Sequence, residues 1–214
     1  MPIRLDTLTI LVAASVLSTG GSAEELPVPA DELVYCTVCH GVQLMGNDMI
    51  KAPRLSGMET WYVERQLRNF SAGIRGLHEG DEFGVDMQPM AAALTDEQIV
   101  EAAQFTNATR SPAAAFTVTG DADRGAALYA SCAACHGPDG KGNEALGAPD
   151  LTTANDWYLV TQLKNFKSGA RGSKAGDIYG MQMRASAQLL ADDEAIRDVV
   201  SYISTFDNKR GRAQ

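Results

Sequence analysis

The sequence of 214 residues predicts an all-α protein built as a tandem duplication of two small domains. The first observation is an internal repeat, because the residues around Cys36 recur around Cys132, 96 positions later. The second is that apolar residues recur at helical spacing in both halves, with few of the alternations that strands produce. The third is length, since domains commonly hold roughly 100 to 150 residues. We therefore expect one domain at 24–115 and another at 116–214, after a short leader.

The leader contains the most apolar run of the chain, Leu8 to Leu17, with Arg4 before it and small residues after it. Such a run is too short to cross a bilayer, which takes roughly 20 residues, but it suits the core of a secretory signal peptide. Gly21 and Ala23 supply small residues at the −3 and −1 positions of a cleavage site. Residues 1–23 are thus expected to direct export to the periplasm and to be removed after Ala23. If residues 1–23 are not removed, they would anchor the protein to a membrane.

The charge of the chain excludes one class of partner and favours another. The chain has 18 Lys and Arg residues against 27 Asp and Glu residues, so its formal net charge is −9. A nucleic-acid surface needs clustered basic residues to contact phosphates, so nucleic acid is not an expected partner. Proteins with basic docking patches suit an acidic surface better.

All four cysteines lie in two Cys-x-x-Cys-His motifs, which also use two of the three histidines. This spacing is typical of c-type haem attachment, in which two thiols bond to one haem and the histidine ligates its iron. Two c-type haems are therefore predicted. The alternatives are a redox-active thiol pair or two zinc half-sites, and a zinc site would need four converging ligands. The predicted attachment cysteines and iron-ligating histidines are Cys36, Cys39, His40, Cys132, Cys135 and His136.

The repeat continues beyond the motifs without a gap, through matching Ala-Pro, Trp-Tyr, Gln-Leu and Gly-x-Arg-Gly segments. Thr95 and Gln98 have the spacing of a capping box, which predicts a helix start there. Residues 106–120 include Ser-Pro and a run of Ala, and are expected to be a linker. Helices are predicted over 60–70, 95–105, 123–134, 156–167 and 192–206.

Methionine is the natural second axial ligand of each iron, because a thioether raises the haem potential and suits an electron carrier. Met87 is the only methionine of the first half whose repeat position, Met183, is also methionine. Each lies 47 positions after the histidine of its own motif. Met87 and Met183 are therefore predicted as the distal ligands.

Three other side chains remain candidates for the same role. Met90 is the main rival in the first half, and Met181 is the main rival in the second. His78 is the one histidine outside the motifs, and it aligns with Lys174 in the repeat. It is either an exposed loop residue or a distal ligand of the first haem.

Together these residues resemble the two-domain diheme class I cytochromes c of the cytochrome c4 group. The shared features are two Cys-x-x-Cys-His motifs, each followed by Ala-Pro-x-Leu, a Trp-Tyr helix, a Gly-x-Arg-Gly loop and a late methionine before a closing helix. The resemblance covers the chain from about Leu33 to Phe206. It implies two cytochrome c domains, each wrapped around a covalently attached haem with His and Met ligands, in a periplasmic electron carrier.

The resemblance also implies roles for residues around the haems. The backbone carbonyls of Pro53 and Pro149 would accept the ring N–H of the proximal histidines. The side chains of Trp61, Tyr62, Trp157 and Tyr158 would contact the haems or their propionates, or would be ordinary core aromatics.

Arg75 and Arg171 lie in the Gly-x-Arg-Gly loops. They would pair with haem propionates, or would be solvated loop charges.

The function predicted from these patterns is single-electron transport between respiratory or dehydrogenase partners, with no small-molecule substrate. Peripheral association with membrane complexes is compatible with that role. The sequence contains no recognisable nucleophile motif or phosphate-binding loop. The alternatives are a haem-bearing subunit of a larger oxidoreductase and a peroxidase-type haem enzyme with one accessible iron.

Overall fold

The structure, a computed structural model, describes residues 33–210, with side chains described to residue 206. The predicted signal peptide at 1–23 and its cleavage site lie outside these residues. The described part is all-α, as predicted, and contains no strand, only two isolated bridges at matching places in the repeat. Its α-helices are α1 (Val34–His40), α2 (Thr60–Ser71), α3 (Gly84–Ala92), α4 (Asp96–Ala108), α5 (Ala122–Tyr129), α6 (Ala133–His136), α7 (Asp156–Ser168), α8 (Ile178–Ala187) and α9 (Asp193–Arg210).

The first domain packs α2 against α3 and α4. The capping box predicted at the start of α4 is present: Gln98 N donates to Thr95 Oγ1 at 3.2 Å, and Thr95 N donates to Gln98 Oε1 at 2.9 Å. Leu44 is fully buried and packs with Phe105 of α4 in the core beside the first cysteine motif. The cap and this apolar face fix α4 behind the motif.

The second domain is held together by the crossing of α5 and α9. Gly125 of α5 lies against the backbone of Asp198 in α9, where a Cβ atom would clash with the Asp198 carbonyl oxygen. The rings of Tyr129 and Phe206 pack edge to face with centroids 5.3 Å apart. A glycine at this crossing lets the two helices approach closely enough to bury these rings.

Two differences from the predicted helices affect the haem motifs and the methionines. The helix predicted over 123–134 is broken at 130–132, where Cys132 N donates to the Tyr129 carbonyl across a turn. Helices α3 and α8, which contain Met87 and Met183, were not predicted. Both begin at or near a glycine and have little amphipathic character, and α3 contains Pro89, so their apolar spacing gives little signal.

The chain between α4 and α5 has no helix, and the boundary predicted at 115 falls within it. Arg54 fastens this segment to the first domain by donating to the carbonyls of Ser111 and Pro112 at 3.0 and 2.6 Å. The backbone N–H of Arg54 donates to Asn155 Oδ1 of the second domain at 2.7 Å. The two domains and their linker therefore meet at one residue. Among the described helices, none is long and apolar enough to span a bilayer.

Candidate haem sites

The first cysteine motif lies on α1, so its functional side chains are placed by one short helix. Cys36 and Cys39 are three residues apart and therefore project from neighbouring positions on one face. His40 ends the helix and is buried, with 4% of its surface exposed. Its Nδ1 lies 2.6 Å from the carbonyl oxygen of Pro53. Two thiols and one oriented imidazole therefore face the same part of the domain.

The second motif repeats this arrangement on a different local backbone. Cys132 precedes α6, while Cys135 and His136 lie within it. His136 is 4% exposed, and its Nδ1 lies 2.9 Å from the carbonyl oxygen of Pro149. The contact implied by the resemblance for the two prolines is thus present in both domains.

The environment of each histidine favours its neutral form. Burial lowers the pKa of His40 and of His136, and outweighs the hydrogen bond to the proline carbonyl, which raises the pKa. A carbonyl oxygen only accepts, so Nδ1 carries the proton and Nε2 has its lone pair free to ligate a metal. The four cysteines form no disulfide, and burial raises the pKa of the Cys36 and Cys132 thiols.

A cavity opens beside each motif, of about 380 Å³ in the first domain and about 150 Å³ in the second. Met87 lines the first cavity together with Cys36, Cys39 and His40, and Met90 lines it too. The first cavity therefore leaves two methionines available as the distal ligand.

The second cavity separates its two methionines. Met183 lines it together with Cys132, Cys135 and His136. Met181 is not among the lining residues and is 44% exposed. The second cavity therefore favours Met183.

His78 lies apart from both cavities. Its side chain is exposed, and its Nδ1 accepts from the backbone N–H of Gly80 at 3.0 Å. The structure therefore places it as a loop residue and not beside the first motif.

The two tryptophans do not line either cavity, so the structure does not support their expected contact with the haems. Trp61 faces the guanidinium of Arg65, 4.8 Å from the ring centroid, and Trp157 faces Lys51 Nζ at 5.4 Å. The neighbouring tyrosines, Tyr62 and Tyr158, line both cavities. In each helix the residue after the tryptophan is the one that faces the sites.

Arg75 and Arg171 are not solvated loop charges, because only 7% and 8% of their surfaces are exposed. Arg75 donates to Gln66 at 2.9 Å and, across the domain boundary, to Gln162 at 3.0 Å. Arg171 donates to Gln162 at 2.7 Å and, across the boundary in the other direction, to Gln66 at 2.8 Å. Each glutamine Oε1 atom therefore accepts from both arginines. We call these four residues the Arg–Gln ring.

Two tyrosine hydroxyls extend the Arg–Gln ring with the same symmetry. Tyr158 accepts from Arg75 at 2.8 Å, and Tyr62 accepts from Arg171 at 3.3 Å. Burial tends to raise the pKa of the Tyr62 hydroxyl, but the positive charges of Arg171 and Arg75 outweigh it, so its pKa is lowered. The Arg–Gln ring thus brings two positive charges to the boundary between the two domains.

The direct hydrogen-bond partners of the two guanidiniums in the Arg–Gln ring are neutral, and the Asp177 carboxylate acts on Arg171 only from a longer distance. Within the described residues no carboxylate lies at salt-bridge distance from Arg75 or Arg171. The Nε atoms of both arginines are buried and have no hydrogen-bond partner. Two buried cations side by side are costly unless an anion compensates them. Since Arg75 lines the first cavity and Arg171 the second, each would face an anionic group bound there.

These features fit a c-type haem in each cavity. Haem needs two thiols, an imidazole nitrogen, a distal ligand and compensation for its two carboxylates, and each cavity has such groups. The zinc alternative is not supported, because the described residues form no cluster of three or more His, Cys, Asp or Glu side chains suited to a metal ion.

The sequence points to the arginines and the tyrosines as haem contacts, but not to the two glutamines that bond the arginines. The repeat offered a sign of these partners, because Tyr62, Gln66, Tyr158 and Gln162 recur at the repeat spacing inside two of the predicted helices. Repeated polar residues on two helices point to an interface between the repeats. Only the structure shows that the contacts cross from one domain to the other.

Comparison with known proteins places the chain among electron-transfer haem proteins. The cytochrome c family model matches it twice, over residues 33–108 and 122–207. A "Thiosulfate dehydrogenase electron acceptor" of Stutzerimonas stutzeri (strain A1501) is 31% identical over 185 residues, which cover 81% of this chain and 80% of that protein.

Two cytochromes c4 are similar over most of their length. The protein of Thiocapsa roseopersicina is 31% identical over 180 residues, covering 78% of this chain and 85% of that protein. The solved cytochrome c4 of Acidithiobacillus ferrooxidans superposes with a TM-score of 0.64 at 26% identity, covering 79% of this chain and 98% of that chain.

Proposed function

The chain belongs to the cytochrome c family, and we propose that it is a periplasmic carrier that takes single electrons from a dehydrogenase and delivers them to another redox protein. Its similarity to cytochromes c4 makes it a diheme electron-transfer cytochrome with two c-type haems. The observation that carries the finer proposal is that each domain brings two thiols and one oriented imidazole to the same cavity. Each bound haem supplies an iron that cycles between the ferrous and ferric states.

The residues of the chain hold and tune these groups. Cys36, Cys39, Cys132 and Cys135 would form the covalent attachments, and His40 and His136 would ligate the irons through Nε2. Met87 and Met183 would complete the ligand sets, which favours the reduced state and leaves no open position for a substrate.

Spectroscopy of the exported protein tests the carrier proposal. A pyridine haemochrome assay should give two haems per chain, and both ferric haems should contribute to the weak far-red band of methionine ligation. Neither ferrous haem should bind carbon monoxide. A haem that lacks the band and binds carbon monoxide would instead support catalysis or sensing at that centre.

Periplasmic location is part of the proposed function, and the predicted signal peptide at residues 1–23 supports it. Export can be tested by expressing the full chain in a bacterium and sequencing the N-terminus of the mature protein. Cleavage after Ala23 in the periplasmic fraction supports the proposal. An intact leader in the membrane fraction would indicate an anchored protein.

The partner is proposed to be a redox protein with a basic docking patch. Support comes from the net charge of −9 and from a relative named as the electron acceptor of thiosulfate dehydrogenase. Long-range attraction between opposite charges is screened by salt, so stopped-flow electron-transfer rates with a thiosulfate dehydrogenase should fall as ionic strength rises. Rates that do not change with salt would argue against a basic patch on the partner.

A further inference from the structure

The Arg–Gln ring lies where the two haem cavities approach each other. Gln66 and Gln162 line both cavities, while Arg75 lines the first and Arg171 the second. Each arginine is stacked on a phenylalanine of its own domain, with the guanidinium 4.4 or 4.5 Å from the ring centroid. The guanidiniums are therefore held in place on one face and hydrogen-bonded at their edges.

We propose that the Arg–Gln ring couples the two haem sites electrostatically, so that one charge at the ring sets the midpoint potentials of both. This inference rests on the proposed diheme electron-transfer function. Because Gln66 and Gln162 line both cavities and each accepts from both arginines, each arginine is bonded to residues shared by the two sites. The four residues are positioning residues for electron transfer, since they act through the field at the irons.

The direction of the effect follows from the sign of the charge. A buried cation near an iron favours the state with one more electron, so the ring raises both midpoint potentials. Interactions inside the protein are screened much less than those between surface charges. A negative charge introduced at the ring should therefore lower both potentials and not only the nearer one.

Gln66→Glu makes this change with almost no change in shape. The carboxylate keeps an acceptor for Arg75 and for Arg171, so the hydrogen bonds of the ring can persist. Gln162→Glu is the mirrored variant in the second domain. Each variant is compared with the wild type by spectroelectrochemical titration of the full-length protein with both haems bound. The titration resolves two one-electron components, one for each haem, and gives the midpoint potential of each.

Gln98→Glu is the matched control. Gln98 also lines the first cavity, but its side chain accepts from the backbone N–H of Thr95 in the capping box, where glutamate serves equally well. The control adds the same charge to the same cavity without touching the Arg–Gln ring. The control variant should lower the midpoint potential of one component at most.

In Gln66→Glu and in Gln162→Glu, we expect the midpoint potentials of both components to fall by comparable amounts. A shift confined to one component, or no shift, in these variants would overturn it. If a glutamate variant fails to bind two haems, Arg75→Gln removes one charge from the ring, and both components must again fall. Failure of the wild type to show two reversible components would instead overturn the proposed function.

Discussion

The two motif histidines are oriented by backbone and not by a charged side chain. The carbonyl oxygens of Pro53 and Pro149 accept from Nδ1 at 2.6 and 2.9 Å. Proline has a fixed φ angle, which removes one of the two backbone rotations next to each carbonyl. An uncharged acceptor holds the imidazole in place and keeps it neutral, which leaves Nε2 available to the iron.

The distal ligands can be tested one residue at a time. Met183→Ala should remove about half of the far-red methionine band and make one ferrous haem bind carbon monoxide, because a vacated axial position is open to ligands. Met181→Ala is the matched control, since Met181 lies two positions away and outside the cavity. In the first domain, Met87→Ala should have the same effect and Met90→Ala should not. The opposite result in that pair would make Met90 the ligand.

At the scale of elements, the crossing of α5 and α9 brings two helix backbones close together in the second domain. Gly125→Ala introduces a Cβ into the backbone of Asp198, so the helices must separate. Overpacking of this kind typically costs about 1 to 3 kcal/mol in the free energy of unfolding. Urea unfolding of the second domain measures this loss in the free energy of unfolding. Ala127→Ser, on the exposed side of the same helix, should stay within about 0.5 kcal/mol of the wild type.

The same crossing contains a carboxylate whose charge stabilises the fold. Asp198 is 1% exposed and accepts from the side chain of Arg124 at 2.5 Å and from the backbone of Asp121 at 2.8 Å. The hydrogen bond from Arg124 outweighs the effect of burial and lowers the pKa of Asp198 below its ordinary value of 3.8. The stabilisation is therefore present above about pH 4 and is lost as the pH falls through the lower, folded-state pKa.

Asp198→Asn should consequently unfold more easily than the wild type at pH 7, and the gap should narrow below about pH 4. Thermal unfolding at a series of pH values measures this difference. Asp123→Asn, at an exposed position of α5, is the control. A gap that stays constant down to pH 2 would show that shape, and not charge, is what Asp198 contributes.

The helices with a wide apolar stripe or a clear cap could be predicted from the sequence. Helices α2, α4, α7 and α9 begin within one residue of the predicted starts. Thr95 marks the start of α4, and the Trp-Tyr segments mark the starts of α2 and α7. Helices α3 and α8 could not be predicted, because they are held by contacts with α2 and α7 and not by their own periodicity. The cysteine motifs specify the attachment side of each site by spacing alone. The Arg–Gln ring depends on how two domains pack, which no local pattern encodes.

At the scale of the whole molecule, the domains are joined by directed hydrogen bonds in addition to the linker. Asn155 accepts from the buried backbone N–H of Arg54, and Asp150 N donates to Glu59 Oε1 at 2.7 Å. A backbone N–H that is buried without a partner costs about 1 to 3 kcal/mol. The interface should therefore be sensitive to loss of a single acceptor.

Asn155→Ala removes that acceptor and should loosen the two domains. The expected result is faster proteolysis within the linker at 109–121 and a larger radius of gyration in solution scattering. Asn143→Ala is the control, because Asn143 is exposed and bonds only within its own loop, to Ala145 N. Equal linker cleavage in both variants would show that the Asn155 contact does not hold the domains together.

The contacts of the Arg–Gln ring have a further consequence for how the two halves relate to each other. Arg75 of the first domain donates to Gln162, which is the counterpart of Gln66. Arg171, the counterpart of Arg75, donates to Gln66 in the same way. Exchanging the halves leaves this set of contacts unchanged, which is the defining property of an isologous, twofold interface. A surface of this kind is self-complementary, so one domain could pair with an identical copy through the same bonds. The tandem chain therefore has the geometry of a homodimer whose two subunits have been joined end to end.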